Sequence, residues 1–472
     1  MRWPRPENRS WWHPGRNPAE PAQGPESRLS HGMETPMTTL RRHDGFLADL
    51  GLEEVDPFVA ELIQWEGIRQ RRKLILIPSE SICPRAVREA LASPFTSVYA
   101  EGYPPNLMEG ATEEELRDVE GNLIRYRRYG DRRFYKGTEY VHFVEALAKA
   151  RVTRLFATPQ CPAQNIYANV QPLSGAAANN AVYQALLEPG EVIMGMALAH
   201  GGHLTHGSEL NRSGRLYRPV PYSVSDQTGR IDYQGLRDLA REHRPKLIVA
   251  GFTSYPWAPD WQRLREIAEE VGAFLLADIA HPAGLVVAGL YPNPLGLAHV
   301  VTFTTHKTLC GPRGAVILTT DPSLAQKLDS AVFPGEQGGP HVNKIAAMAV
   351  AFGMARTETF KRLQRGIVEN ARALAEALHA EGVDLCYGGT DTHLLVVKLQ
   401  GLGKPTGYPL LGEIASRVLD LAGLVVNRNS LPGDLSFAQA TGIRLGTPWA
   451  TQRGMGPREM REVASVIALI LR

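Results

Sequence analysis

Four cysteines in 472 residues, Cys83, Cys161, Cys310 and Cys386, are too few and too scattered for a disulfide framework or a zinc cluster. That scarcity fits a reducing compartment, and a cytoplasmic location is expected. No apolar run is long enough to cross a bilayer as a helix, so no membrane partner is expected. Net charge is only +2, so there is no basic field to attract nucleic acid and no acidic tail. Residues 1–36 lack an apolar stripe and hold seven prolines and three tryptophans, which reads as a disordered tail. They also lack the apolar middle of a signal peptide, and Met33 or Met37 is the expected start of a more ordinary chain. The remainder, with 43% apolar and 21% charged residues overall, suits a globular protein of about two or three domains.

The pattern over 40–72 is helical, with Phe58, Leu62 and Trp65 spaced for one face. Residues 73–77 form a short apolar run, and 84–92 read as a helix with proline in its first turn. Within 104–131, Thr112-Glu113-Glu114-Glu115 is a capping box, and an extra helix over roughly 113–128 is expected. The segment 140–156 is helical. Then strands and helices alternate. Candidate strands are 168–170, 192–196, 247–252, 274–278, 300–304 and 315–319, with helices such as 178–187 and 261–271 between them. That alternation predicts an α/β fold with a mostly parallel, doubly wound sheet. A long helical stretch over 345–378 leads to a smaller α+β unit with strands at 393–398 and 424–426 and a helix over 458–471. The expected division is a tail over 1–39, an arm over 40–98, a large domain over 99–344 carrying the insert 104–131, and a small domain over 345–472.

The segment VVTFTTHKT (300–308) begins as a β-branched strand, turns polar and runs into the turn LCGPRG. Lys307 therefore stands past the carboxyl end of a buried strand, where open α/β sheets place ligands. A lysine with little water around it can lose its proton and form an imine, although an ordinary surface lysine has the same local sequence. FLLADIAH (274–281) ends a second apolar strand in Asp278, with His281 close behind. A carboxylate there calls for a cation, such as a protonated pyridine nitrogen, unless it serves as a cap or structural ion pair. Ser174-Gly175-Ala176 opens a helix, whose N-terminus and small residues suit an anion. Arg444, in TGIRLGT, needs an anion for its fork. His200, His203 and His206 could form a metal ligand set. No acid lies near them and their glycines suit a tight turn with one imidazole flat on an aromatic ring, so no metal is expected. A lysine imine, an acid for a ring nitrogen, a phosphate cup and an arginine for a carboxylate together describe pyridoxal-phosphate chemistry on an amino acid.

These stretches resemble the serine hydroxymethyltransferase family of fold-type I pyridoxal-phosphate enzymes. The matching motifs are YAEGY (99–103), NVQPLSGAAAN (169–179), LAHGGHLTHGS (198–208), DIAHPAGLVVAGLYPNP (278–294), TTHKTLCGPRG (304–314), VFPGEQGGP (332–340) and GIRLGTP (442–448). The resemblance implies an aspartate-aminotransferase-like large domain with a seven-stranded sheet and a smaller C-terminal domain. It implies that Lys307 carries the cofactor, Asp278 binds its ring nitrogen and His203 stacks on the ring. Thr253 and His281 would lie near the ring's hydroxyl and the substrate, with Thr304 catalytic and His306 cofactor-binding beside the lysine. Ser174, Gly175 and Ala176 would hold the phosphate. Arg444 and Ser79 would grip the substrate carboxylate, with Leu198 and Gly202 lining the pocket. Glu101 would handle the hydroxymethyl proton, with Tyr135 near it. Tyr99, Glu101, Tyr135, Gly338 and Gly339 would reach a neighbouring subunit's site, which implies a homodimer and allows a tetramer. The implied reaction takes serine and tetrahydrofolate to glycine and methylenetetrahydrofolate.

This chain departs from the family pattern in places. The insert 104–131 separates Glu101 from Tyr135, and Phe134 replaces a tyrosine. Ser81 stands for an asparagine and Leu173 for a histidine, and the loop at Leu435-Ser436-Phe437 is short. Several of these changes fall where the family binds folate. They raise the expectation that the extra helix covers the site and alters folate use. Two other readings compete: a folate-independent aldolase or transaldolase on threonine or α-methylserine, and a catalytically silent paralogue serving as a binding partner. A silent protein has no physical need to keep the buried charges of Lys307, Asp278 and Arg444.

Overall fold

The computed structural model describes residues 50–129, 132–403, 409–434 and 436–472. The tail 1–39, the first part of the arm and Leu435 lie outside the described residues. The chain divides into two compact units, residues 1–65 and 66–472. In the first, Leu52–Val55 is one helical turn and Pro57 starts a helix. The expected stripe of Phe58, Leu62 and Trp65 is there, but all three side chains are exposed.

Strands of the second unit, in chain order, are β1 (Leu74–Ile75), β2 (Tyr167–Asn169), β3 (Val192–Met196), β4 (Arg218–Tyr222), β5 (Leu247–Gly251) and β6 (Phe274–Asp278). They continue as β7 (Val300–Thr304), β8 (Ala315–Thr319), β9 (Leu394–Lys398), β10 (Leu424–Val425), β11 (Asn427–Asn429) and β12 (Gly442–Gly446). Seven form one sheet in the order β2-β8-β7-β6-β5-β3-β4. The run from β7 through β4 is parallel, and β8 is antiparallel to both its neighbours. Strand residues alternate between the two faces. Ile248, Leu275 and Val301 join the core on one face; Val249, Leu276 and Val300 join the core on the other. Helices cover both faces, which is why every residue of β5 and β7 is buried and neither strand alternates apolar with charged residues. β4 was not expected, because its sequence RPVPY carries two prolines. It is an edge strand, where a missing N–H on the outer side costs nothing.

A second core gathers Leu76 with Leu374, Leu395, Val397, Ile443, Leu445 and Ile467. It packs the three-stranded sheet β11-β12-β9 against helices Glu358–Ala380 and Pro457–Leu471. The long helical stretch is two helices, Val342–Ala355 and Glu358–Ala380, with Thr357 capping the second. No helix among the described residues is long and apolar enough to cross a membrane.

The insert is likewise two helices, Glu113–Leu116 and Val119–Tyr129, not one. The capping box at Thr112 and Glu115 starts the first, as expected. Met108 and Leu116 pack on Ala146 of helix Glu139–Phe156, and Glu113 pairs with Arg151 at 2.5 Å and Arg356 at 3.1 Å. The two ends of the excursion meet, since Phe134 N–H donates to the Glu101 carbonyl at 3.1 Å. Arg133 locks that junction. Its guanidinium, fully buried, donates to the carbonyls of Ala100 (2.6 Å) and Gly102 (2.9 Å) and to Glu145 (2.5 Å).

Candidate active site

β5, β6 and β7 all end at the same edge of the sheet, and their last residues hand over to the site. β7 ends at Thr304, and the chain then closes a tight turn around Lys307. Thr305 N–H donates to Gly314 O (3.1 Å), Gly311 N–H to Thr305 O (2.6 Å) and Cys310 N–H to Lys307 O (3.0 Å). The Ser81 hydroxyl lies 2.9 Å from the carbonyl oxygens of both His306 and Lys307. Lys307 faces a cavity of about 420 Å³ that is also lined by Ser79, Leu198, Gly202, His203, Thr253, His281, His306 and Arg444. Nine of the expected residues are therefore brought together. Burial pushes the Lys307 amine down to about 8, against the pull of Asp278, so a minor neutral fraction exists at neutral pH and grows to half near pH 8.

Asp278 ends β6. Its Oδ2 accepts from Asn179 Nδ2 (2.8 Å) and His206 Nε2 (3.0 Å), and its Oδ1 accepts from Ala280 N–H (3.0 Å). Burial opposes its charge, but the His206 hydrogen bond and charge win and hold the carboxyl well below the usual range. Three donors fill three of about four acceptor sites on an ionised carboxylate, which leaves one for a ring N–H. Asn179 also donates to Thr205 Oγ1 (2.9 Å), which sits 2.7 Å from His203 Nδ1. One network therefore fixes both the acid and the His203 imidazole. Burial lowers His203 to about 4 and pushes His281 well below its ordinary value, so both rings are neutral. His281 Nδ1 lies 3.1 Å from His393 Nε2.

The alternative metal set of three histidines does not assemble. His200 turns away to accept from Val224 N–H, and the ligand atoms of His203, His206 and Asp278 are the ones that converge, within 4.8 Å. Gly202 has no room for a side chain, since a Cβ there would lie 2.0 Å from Met196 O. Its carbonyl accepts the Thr253 hydroxyl at 2.7 Å.

Ser174 caps helix Gly175–Leu186, its hydroxyl accepting from Ala177 N–H at 3.2 Å. A Cβ at Gly175 would meet the Thr304 methyl at 2.8 Å, so this helix start lies directly against the end of β7. Thr304 spends its hydroxyl on Ala280 O (3.2 Å) and lies against Gly175, between the start of this helix and the lysine turn. Ala176 follows in the same first turn.

Arg444 rises from β12. Its Nη1 donates to Thr253 O (2.5 Å) and its Nε to Asn427 Oδ1 (3.3 Å), with no carboxylate partner among the described residues. Burial lowers even this guanidinium to about 10. Arg444 lines the cavity together with Lys307.

Tyr99, Glu101, Tyr135, Gly338 and Gly339 form a separate cluster. The Tyr99 and Tyr135 rings lie 4.8 Å apart. A Cβ on Gly339 would strike Tyr99 at 2.9 Å, and one on Gly338 would lie 3.1 Å from Glu101 Oε1. Glu101 and Gly338 line a cavity of about 460 Å³ that shares no residue with the Lys307 cavity. The insert lines neither. Its residues Glu109–Thr112 wall a third cavity of about 440 Å³ against Lys149, Tyr167 and Asp329, so within one chain it does not cover Lys307 as expected. Sequence reasoning missed Ser81, Asn179, Asn427 and His393. A polar residue beside an apolar run was the only signal, and it does not say which backbone carbonyl or carboxylate the side chain will meet.

A sheet of this topology, with a depressed lysine past one strand, an ionised acid at the end of the next and a helix N-terminus between, fits pyridoxal phosphate and defines a fold-type I enzyme of the transferase kind. The family model described as serine hydroxymethyltransferase matches residues 52–127 and 112–467, the two stretches overlapping inside the insert. The chain belongs to the serine hydroxymethyltransferase family.

Proposed function

We propose that the protein moves the hydroxymethyl group of serine to tetrahydrofolate, giving glycine and methylenetetrahydrofolate, and catalyses the reverse. The observation that carries this is one cavity holding a Lys307 whose amine burial makes easier to deprotonate and an Arg444 with no carboxylate partner among the described residues. Pyridoxal phosphate, when bound, accepts electron density from the amino acid's α-carbon. The chain's residues do the rest. Asp278 keeps a proton on the ring nitrogen, because an ionised acid beside it makes loss of that proton costly. The neutral His203 ring gives the cofactor a flat apolar face without adding positive charge. Ser174, Gly175 and Ala176 hold the phosphate at a helix N-terminus. Arg444 takes the substrate carboxylate with two parallel N–H donors, and Ser79 adds a hydroxyl. Fixing the carboxylate and the ring at two points turns the bond to be broken perpendicular to the ring. Water is limited by burial of the lysine and the histidines.

Glu101 accepts the proton of the serine hydroxyl as the one-carbon unit leaves, with Tyr135 beside it. Glu101 and Lys307 line different cavities in one chain, which supports a homodimer whose partner completes each site with Tyr99, Glu101, Tyr135, Gly338 and Gly339. The test is serine-to-glycine conversion by purified protein with and without tetrahydrofolate. Strong dependence on the folate is expected. Equal rates without it, or preferential cleavage of threonine or α-methylserine, contradict the choice of acceptor.

A further inference from the structure

Lys344 is a buried cation that the proposed reaction does not use. It lies in the first turn of helix Val342–Ala355 and is 4% exposed. Two effects oppose a charge there: loss of water and the positive end of its own helix. No carboxylate pairs with it among the described residues. The acid that acts on it from nearest, Glu145, has its Oε2 taken by Arg133 (2.5 Å) and its Oε1 by Gln171 (2.9 Å). Instead, Lys344 Nζ donates to three carbonyls in succession: Val170 (3.3 Å), Gln171 (2.8 Å) and Pro172 (2.9 Å).

Those three residues are the run from β2 into Ser174, the cap of the phosphate-cup helix. The Pro172 carbonyl also accepts from Ala315 N–H (3.1 Å), at the start of β8. The lysine stem reaches this point beside Gly314, in the turn after Lys307. A Cβ on Gly314 would lie 2.8 Å from Lys344 Cδ and 2.4 Å from Met348 Cε. Lys344 thus ties the turn that bears the reactive lysine to the turn that presents the anion-binding N–H groups.

We propose that Lys344 is a positioning residue for the phosphate end of the cofactor, aligning the Ser174–Ala176 N–H groups by holding the carbonyls of the run that precedes them. This rests on the proposed pyridoxal-phosphate site and adds a residue to it. A residue needed only for folding would affect all aldehydes alike, whereas one acting on the phosphate distinguishes pyridoxal phosphate from pyridoxal.

The experiment compares the affinity of wild type and Lys344→Met apoprotein, full chain, for pyridoxal phosphate and for pyridoxal, followed by absorbance. A loss of phosphate-over-pyridoxal preference of about tenfold or more is expected, the size of one weakened charge-assisted contact. Gly314→Ala, which crowds the lysine stem without removing the charge, is a second variant and is expected to reduce the same preference to a smaller degree. Equal losses for both aldehydes, or an unchanged preference in both variants, overturn the inference. Failure of the wild type to take up pyridoxal phosphate overturns the proposed function itself, a result distinct from either.

Discussion

Replacing Arg444 by alanine is the sharpest perturbation of the substrate end of the site. The guanidinium is anchored by Thr253 O at 2.5 Å and Asn427 Oδ1 at 3.3 Å, and Arg444 lines the cavity that holds Lys307. Burial lowers it to about 10, so it stays charged through the working range. With no acid of its own, it has desolvation already imposed and an anion still to gain. Two charge-assisted hydrogen bonds to a carboxylate, at about 1.5–3 kcal/mol each, make a loss of about 3–6 kcal/mol. That is a fall in kcat/KM for serine of about two to four and a half orders of magnitude. Steady-state cleavage of serine, with a spectral titration of glycine binding to the loaded enzyme, measures it. The cofactor should still be taken up, although Lys307 loses a neighbouring positive charge that helps to lower its pKa. Arg444→Lys should recover only part of the loss, since an ammonium cannot fork. Serine kcat/KM within threefold of wild type in Arg444→Ala would refute the carboxylate assignment.

Other outcomes follow from the same geometry. Lys307 loses its proton as pH rises through about 8, not the ordinary 10.5, so the rate of cofactor capture by apoprotein should climb with a midpoint near 8; stopped-flow absorbance giving a midpoint above 10 contradicts the burial argument. Asp278→Asn should keep the cofactor bound but lower serine turnover by about 10²-fold or more, as for loss of one preorganised charge in a dry site; turnover near wild type means the ring nitrogen is held otherwise. Arg133→Met strands the buried Glu145 carboxylate and should cost about 3–5 kcal/mol in urea unfolding; a change under about 1 kcal/mol means the insert junction relaxes around the lost pair.

The parts legible from sequence were those where local pattern and burial coincide. β3, β6, β7 and β8 fall at their expected bounds because each is a short β-branched or apolar run covered on both faces. Lys307 and Asp278 were visible for the same reason: a charge stands out at the end of such a run. β4 was hidden because two prolines look like a loop until the strand is known to be at an edge. The breaks at 117–118 and 356–357 were hidden because the helical period continues across them. What could not be read was the partner of each polar group. Asn179 and His206 sit 99 and 72 residues from Asp278, and only the fold brings them within 3.0 Å. The two-cavity arrangement of Glu101 and Lys307 was likewise invisible to spacing; only the family resemblance implied it.

The central claim is that one buried amine holds an aldehyde cofactor covalently. Borohydride reduction of the pyridoxal-phosphate-loaded protein, followed by peptide mapping, tests it directly. A single stable pyridoxyl adduct on the peptide containing Lys307 is the predicted result. A protein that stays unlabelled, or carries the label on another lysine, contradicts the account.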